Sequence, residues 1–178
     1  MKIGFDLDGI FIDKPPFIPK KLIDRLYGSY DHGLSYRFPS KPEQWIRNIT
    51  HISLFRPAIW ENIQKIKSTC TQNAHHYYLI SSRFGFLKAR TEYLLNKYEL
   101  SGIFDNIYLN FNNEEPHIFK ENILKKLRFD RYIDDDLPLL EFLAKHNPKI
   151  VFFWLNKKSN LRLLGNLITT TNLQAILK

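Results

Sequence analysis

The sequence predicts an α/β fold with a central, mostly parallel sheet, because short apolar runs alternate with longer segments of helical periodicity. The apolar runs are rich in Ile, Val, Phe and Tyr, and they occupy residues 2–7, 77–80, 107–109, 131–133 and 150–155. Strands that alternate with helices are typical of a parallel sheet with helices packed on it. We therefore expect a Rossmann-like three-layer sandwich.

The predicted helices connect consecutive strands, and each has apolar residues at helical spacing. Pro57 and Pro138 each precede one of these segments, as proline often does at the start of a helix. The helices are expected over residues 60–67, 87–98, 118–127 and 139–145. Weaker signals predict a short strand near Leu167 and a final short helix over residues 173–177.

Residues 14–56 depart from this alternation, because the segment is rich in proline and has no clear strand. Short helices are expected near residues 20–27 and 42–50. We interpret the segment as a small helical cap inserted after the first strand. The core is then expected to consist of residues 1–13 and 57–178.

Composition points to a cytoplasmic protein with one core. At 178 residues and 44% hydrophobic content, the chain is long enough to bury a core without disulfides. Its single cysteine, Cys70, excludes an internal disulfide and a thiolate metal cluster, which fits a reducing compartment. The N-terminus lacks the apolar segment of a signal peptide, and no apolar run reaches the length of a membrane span.

The charge balance favours an anionic partner. Lys and Arg number 26 against 18 Asp and Glu, which gives a net charge of +8 at pH 7. Phosphorylated metabolites, nucleotides, nucleic acid ends and acidic membrane surfaces all suit a basic surface, and of these we expect no membrane partner. The alternative is that the basic surface serves solubility alone. The charge therefore narrows the class of ligand but names none.

Two acidic residues, Asp6 and Asp8, end the first apolar run, and Gly9 follows them. Gly9 frees the backbone to turn, so both carboxylates can converge above the end of the strand. Such close negative charges repel each other unless a cation lies between them, and Mg²⁺ prefers carboxylate oxygens. The pair predicts a metal-dependent phosphoryl-transfer site; a simple Asp-Gly turn is the alternative.

Two other predicted strands also end in polar groups. Ser81, Ser82 and Arg83 follow the second strand, where hydroxyl and backbone N–H groups suit a phosphoryl group. Residues 134–136 are all Asp and follow the fourth strand, and Lys120 lies upstream near the start of a helix. Each group alone also fits a loop, a helix cap or a solvated surface. Ligands bind at the carboxyl ends of parallel strands, so together these groups predict one site.

These residues, in this order, resemble the four motifs of the haloacid dehalogenase-like (HAD) superfamily of phosphatases. The matching stretches are Asp6-Leu7-Asp8-Gly9, Ser81, Lys120 and Asp134-Asp135. The resemblance implies a Mg²⁺-dependent phosphatase that forms an aspartyl phosphate. Ile10 departs from the pattern, since threonine or valine is usual there, but this change leaves the carboxylates intact.

The resemblance also implies a role for each matching residue. Asp6 corresponds to the nucleophile, and Asp8 to the general acid and base. Ser81 corresponds to the hydroxyl that binds the transferring phosphoryl group. Lys120 corresponds to the lysine that offsets negative charge, with Lys125 as a less favoured substitute. The expected metal ligands are Asp6, Asp8, Asp134 and Asp135.

The predicted cap carries aromatic rings interleaved with arginines, which suit a base or sugar ring beside a phosphate. The alternative is that these rings form the core of the cap itself. Arg56 lies where the cap returns to the core, and Arg83 lies next to the motif serine. The expected substrate contacts are Ser82, Arg83, Arg56, Tyr36 and Arg37.

The leading hypothesis is a phosphatase that acts on a small phosphomonoester. A nucleotide-like substrate is favoured, and a 5′-nucleotidase-like member of the superfamily is the hypothesis for the type of enzyme. The net charge of +8 supports an alternative, a phosphatase of the 3′ or 5′ ends of nucleic acids. A noncatalytic binding protein on the same fold is a third hypothesis, because fold does not determine function.

Overall fold

Six parallel strands form one sheet in the order β3-β2-β1-β4-β5-β6. The computed structural model describes residues 1–14, 34, 37–70, 75–156 and 165–177. The strands are β1 (Lys2–Phe5), β2 (His76–Ser81), β3 (Asn106–Leu109), β4 (Arg131–Asp134), β5 (Val151–Leu155) and β6 (Leu167–Thr170). The strand order reverses between β1 and β4, which creates the crevice where α/β proteins bind their ligands.

Helices connect the strands, as the apolar spacing predicts. They are α1 (Lys41–Thr50), α2 (Trp60–Cys70), α3 (Lys88–Lys97), α4 (Pro116–Leu127), α5 (Leu137–His146) and α6 (Gln174–Leu177). No helix in the described part of the chain is both long enough and apolar enough to cross a membrane.

Apolar side chains pack on both faces of the sheet. One buried cluster joins Ile3 and Phe5 of β1 with Ile63 of α2 and Leu94 of α3. A second cluster joins side chains of β4 and β5 with α4 and α5: Leu124, Tyr132, Leu140 and Phe152. Neighbouring residues of a strand point to opposite faces, so these clusters are the two interfaces of a three-layer sandwich. The predicted fold class is confirmed.

Four predicted boundaries were wrong, three of them by about two residues and the end of α2, at Cys70, by three. Strand β1 ends at Phe5. The Asp6 N–H still donates to the Ile133 carbonyl at 2.9 Å, but the chain turns away from the sheet soon after this residue. Helices α4 and α5 each begin earlier than predicted, with a proline in the first turn. Proline is tolerated there because that N–H has no partner within the helix.

The structure contains the second predicted helix of the insert, as α1. Its start is capped by Glu43, whose side chain accepts from the N–H of Ser40 at 2.6 Å. The other predicted helix, near residues 20–27, lies outside the described residues. The assignment of residues 14–56 as a cap therefore stays a prediction.

Candidate active site

Adjacent strands β2, β1 and β4 deliver the predicted site residues to one edge of the sheet. Asp6 follows β1, while Ser81 and Asp134 are the last residues of β2 and β4. After Asp6 the chain turns sharply at Gly9, which has a φ of +75°. A Cβ on Gly9 would lie 2.3 Å from Cγ of Asp135, so the turn and the close approach both require glycine.

Lys120 from α4 is the centre of the site. Its Nζ lies 2.8 Å from Oδ1 of Asp6 and 2.7 Å from Oδ2 of Asp134, and all three side chains are buried. Lys125, the alternative considered from sequence, lies on the surface and pairs with Glu121 at 2.7 Å. The structure therefore brings Lys120, and not Lys125, together with the carboxylates.

Burial and neighbouring charges both shift the pKa values of Asp6 and Lys120. Burial raises the pKa of Asp6 well above its usual value, and the neighbouring Asp134 and Asp8 add to this effect, whereas Lys120 opposes it. Burial acts to lower the pKa of Lys120, but Asp134 and Asp6 outweigh it and raise that pKa well above the usual value. Lys120 is therefore a permanent positive charge between the two carboxylates.

Three carboxylates form a candidate metal site. Asp6, Asp134 and Asp135 each offer an oxygen, and these oxygens lie within 4.8 Å of one another. Hard oxygen donors in this number suit Mg²⁺. Lys14 Nζ lies 2.6 Å from Oδ2 of Asp135, yet burial still raises the pKa of Asp135 to about 6.

The Asp8 carboxylate is not in this group of three and is bound instead by arginines. Arg83 donates to both of its oxygens, from Nε at 2.8 Å and from Nη2 at 2.7 Å. Arg56 Nη1 lies 3.5 Å from Oδ1. Although burial favours the neutral carboxyl, the two guanidiniums hold the pKa of Asp8 well below its usual range. Its assignment as a metal ligand stays a prediction.

The loop after β2 lies next to Asp8 and Arg83. Ser81 is buried, and its Oγ accepts from the Arg83 N–H at 3.5 Å. The carbonyl of Ser82 accepts from Nδ2 of Asn110 at 3.5 Å. Asn110 also caps its own loop, since its Oδ1 accepts from the N–H of Glu114 at 2.9 Å. These contacts hold the predicted phosphate loop beside Asp8.

The remaining predicted residues lie apart from this cluster or outside the described residues. Arg37 is 67% exposed and pairs with Glu43 at 2.5 Å. Tyr36 lies outside the described residues. Asp136, which had no assigned role, caps α5 by accepting from the N–H of Leu139 at 3.2 Å.

Sequence analysis missed two residues that contact the carboxylates. The Tyr132 hydroxyl donates to Oδ2 of Asp134 at 3.0 Å, and Lys14 binds Asp135. Tyr132 lies two residues before Asp134 in β4, so the alternation of side chains along a strand was an available signal. Lys14 gave no comparable signal, because its contact crosses from the loop after β1 to the loop after β4.

Comparison with solved structures supports the same architecture. A haloacid dehalogenase-like family hydrolase from Streptococcus pneumoniae is 14% identical with a TM-score of 0.59, and the match covers 98% of this chain and 96% of that one. A haloacid dehalogenase-like family hydrolase from Xanthomonas campestris is 14% identical with a TM-score of 0.54, covering 96% of this chain and 90% of that one.

A third similar structure contains ligands. It is a HAD family enzyme from Bacteroides thetaiotaomicron, an aspartate-to-alanine mutant in complex with magnesium and inorganic phosphate. That protein is 13% identical with a TM-score of 0.55, and the match covers 89% of this chain and 95% of that one. No protein-family model and no curated protein matches the sequence. The protein therefore has the fold of the haloacid dehalogenase-like hydrolases.

Proposed function

We propose that the protein is a Mg²⁺-dependent phosphatase that hydrolyses a small phosphomonoester through a phosphorylated Asp6. The observation that carries this proposal is the double contact of Lys120 Nζ with Asp6 and Asp134, at 2.8 and 2.7 Å. A carboxylate nucleophile and a phosphate dianion repel each other, so the reaction needs fixed positive charge at this point. The resemblance to HAD motifs assigns the same roles to these residues.

A divalent ion fits the donor set of the site. Asp6, Asp134 and Asp135 would hold Mg²⁺, since their oxygens lie within 4.8 Å of one another. When bound, the ion offsets negative charge on the phosphoryl group and on the nucleophile. The Bacteroides thetaiotaomicron enzyme with magnesium and phosphate supports this choice of ion.

The reaction then proceeds in two displacements at phosphorus. In the first, an Asp6 oxygen forms a bond to phosphorus, the ester P–O bond breaks, and Asp8 gives its proton to the departing alcohol. In the second, Asp8 takes a proton from water, whose oxygen bonds to phosphorus and releases Asp6 and inorganic phosphate. Lys120 offsets the charge on Asp6, and the Ser81 hydroxyl donates to the phosphoryl group.

The arginines favour the ionised form of Asp8, which is the form that accepts a proton from water. Donation in the first step requires a protonated Asp8. Arg83 binds both Asp8 oxygens, and its guanidinium also suits a phosphate in the same bidentate geometry. We infer that Arg83 moves from Asp8 to the substrate phosphate, which would let Asp8 take up a proton from solvent before the first displacement.

A nucleotide-like substrate is the finer hypothesis, and it depends on the aromatic and basic composition of residues 14–56. Residues 14–56 act in this proposal as a cap that selects the substrate. A nucleic acid end is the second candidate, supported by the net charge of +8. Binding to oligonucleotides with a steep salt dependence would favour it.

The test is phosphate release from a panel of nucleotides, sugar phosphates and a phosphorylated oligonucleotide, each with Mg²⁺ and with chelator. We expect metal-dependent release from one class of substrate. Asp6→Asn is expected to abolish it, whereas Asp13→Asn, which changes an exposed carboxylate in the same loop, should leave it unchanged. Near-normal turnover by folded Asp6→Asn would refute the nucleophile, and a folded wild type that is inactive across the panel would favour a noncatalytic binding protein.

A further inference from the structure

We propose that His51 is a positioning residue: its side chain holds the Arg56 guanidinium toward Asp8 and so connects the end of α1 to the candidate acid and base. The consequence for catalysis depends on the proposed function of Asp8. The contact itself does not depend on that function, and it can be tested without any activity.

The hydrogen bonds of His51 determine which ring nitrogen carries the proton. His51 is 2% exposed and lies directly after α1. Its Nδ1 is 2.6 Å from the carbonyl oxygen of Arg47, which can only accept, so Nδ1 is the donor. Nε2 is then an acceptor, and Arg56 Nη2 donates to it at 3.2 Å.

Hydrogen bonds hold both the backbone and the side-chain tip of Arg56. Its carbonyl accepts from the Tyr98 hydroxyl at 2.6 Å, and its N–H donates to the Ile52 carbonyl at 2.9 Å. At the tip of the side chain, Nη2 contacts His51 and Nη1 contacts Asp8. The two terminal nitrogens of one rigid guanidinium therefore connect the histidine to the carboxylate.

A neutral ring is required for this arrangement, and the surroundings of His51 favour one. Burial, with the positive charges of Arg56 and Arg83, lowers the pKa of His51 well below 6.5. A protonated ring would present N–H groups on both sides and would repel the guanidinium. The neutral ring accepts a hydrogen bond from Arg56 without contributing charge to the site.

Arg56 depends on this support more than Arg83 does. Arg83 binds Asp8 through two bonds of 2.8 and 2.7 Å, whereas Arg56 approaches it at 3.5 Å. Bidentate pairs have their own geometric specificity, and a single long contact does not. Without His51 as acceptor, Arg56 Nη2 loses this hydrogen bond, and the 3.5 Å contact of Arg56 Nη1 with Asp8 becomes weaker.

Two substitutions separate positioning from packing. His51→Gln keeps an acceptor that faces Arg56, while His51→Phe keeps a ring and removes the acceptor. We expect His51→Phe to lower kcat by about ten- to a hundred-fold with little change in KM, as small misplacements near a reacting group do. His51→Gln should stay within about three-fold of the wild type. In an Arg56→Met background, His51→Phe should cost less than about two-fold, because its effect acts through Arg56.

Wild-type kcat in His51→Phe, or full multiplication of the two single effects in the double mutant, would overturn the proposal. Heteronuclear NMR of the wild-type ring tests it without activity: we expect a neutral ring with its proton on Nδ1, and a proton on Nε2 would overturn it. The free energy of unfolding is measured for the same two single mutants and the double mutant. We expect the effects of His51→Phe and Arg56→Met on it to be non-additive. A wild type without phosphatase activity would refute the proposed function, and the NMR and unfolding results would still decide the role of His51.

Discussion

Replacing Lys120 with methionine is expected to destabilise the protein strongly at neutral pH. The substitution keeps most of the length of the side chain but removes the charge that lies 2.8 Å from Asp6 and 2.7 Å from Asp134. Removing one partner from a buried ion pair typically costs about 3–5 kcal/mol, because the other charge stays buried without compensation. A domain of this kind has only about 5–15 kcal/mol of total stability.

The matched control is Lys125→Met on the same helix. Lys125 is 54% exposed, against 3% for Lys120, and it forms one pair with Glu121 four residues away. Exposed pairs of this kind contribute about 0.3–0.5 kcal/mol. The two variants therefore differ in burial and in the number of carboxylates left behind, while both lose a lysine from α4.

Urea unfolding of both variants, followed by tryptophan fluorescence with chelator present, measures the difference. We expect Lys120→Met to lose several kcal/mol more than Lys125→Met at neutral pH. Mild acid should reduce the difference, since Asp6 then takes up a proton, and Mg²⁺ should stabilise the variant by binding the carboxylates. Equal losses in the two variants would refute the assignment of Lys120 as the buried charge of the site.

Two further predictions concern Asp135 and its contact with the turn at Gly9. Gly9→Ala should cost more than about 2 kcal/mol and weaken Mg²⁺ binding. Gly165→Ala should cost only about 1 kcal/mol, because Gly165 has a similar positive φ but no atom of the described residues lies within 4 Å of an added Cβ. Equal unfolding free energies for the two variants would contradict the steric argument. Because burial raises the pKa of Asp135 to about 6, Mg²⁺ affinity should fall as pH drops below that value, since the metal binds the ionised carboxylate. Without metal, the same shift makes the free energy of unfolding fall as pH rises from about 4 to about 6, because the native state then holds more protons than the unfolded state. Calorimetry of Mg²⁺ binding and urea unfolding across this pH range measure the two effects. If Mg²⁺ affinity or the free energy of unfolding does not change with pH, the raised pKa of Asp135 is contradicted.

The sequence alone was sufficient to predict the fold class and the order of its elements. Apolar runs and helical spacing are local signals, and they located the six strands and the helices α1 to α6 of the described residues, with small errors at β1, α2, α4 and α5. The same local signals indicated which residues end the strands. Because parallel strands share one edge for their carboxyl ends, Asp6, Ser81 and Asp134 were predicted at a common site before their distances were known.

Only the tertiary structure decided which residues contact these carboxylates. Lys120 and Lys125 lie on one helix, and packing on the sheet directs the first inward and the second to solvent. The contact between Arg83 and Asp8 joins positions 75 residues apart, and that between Lys120 and Asp6 joins positions 114 apart. Such pairs leave no periodic signal along the chain, because they depend on how strands and loops pack. For the same reason His51, a single polar residue after α1, could be related to Arg56 and Asp8 only in the folded molecule.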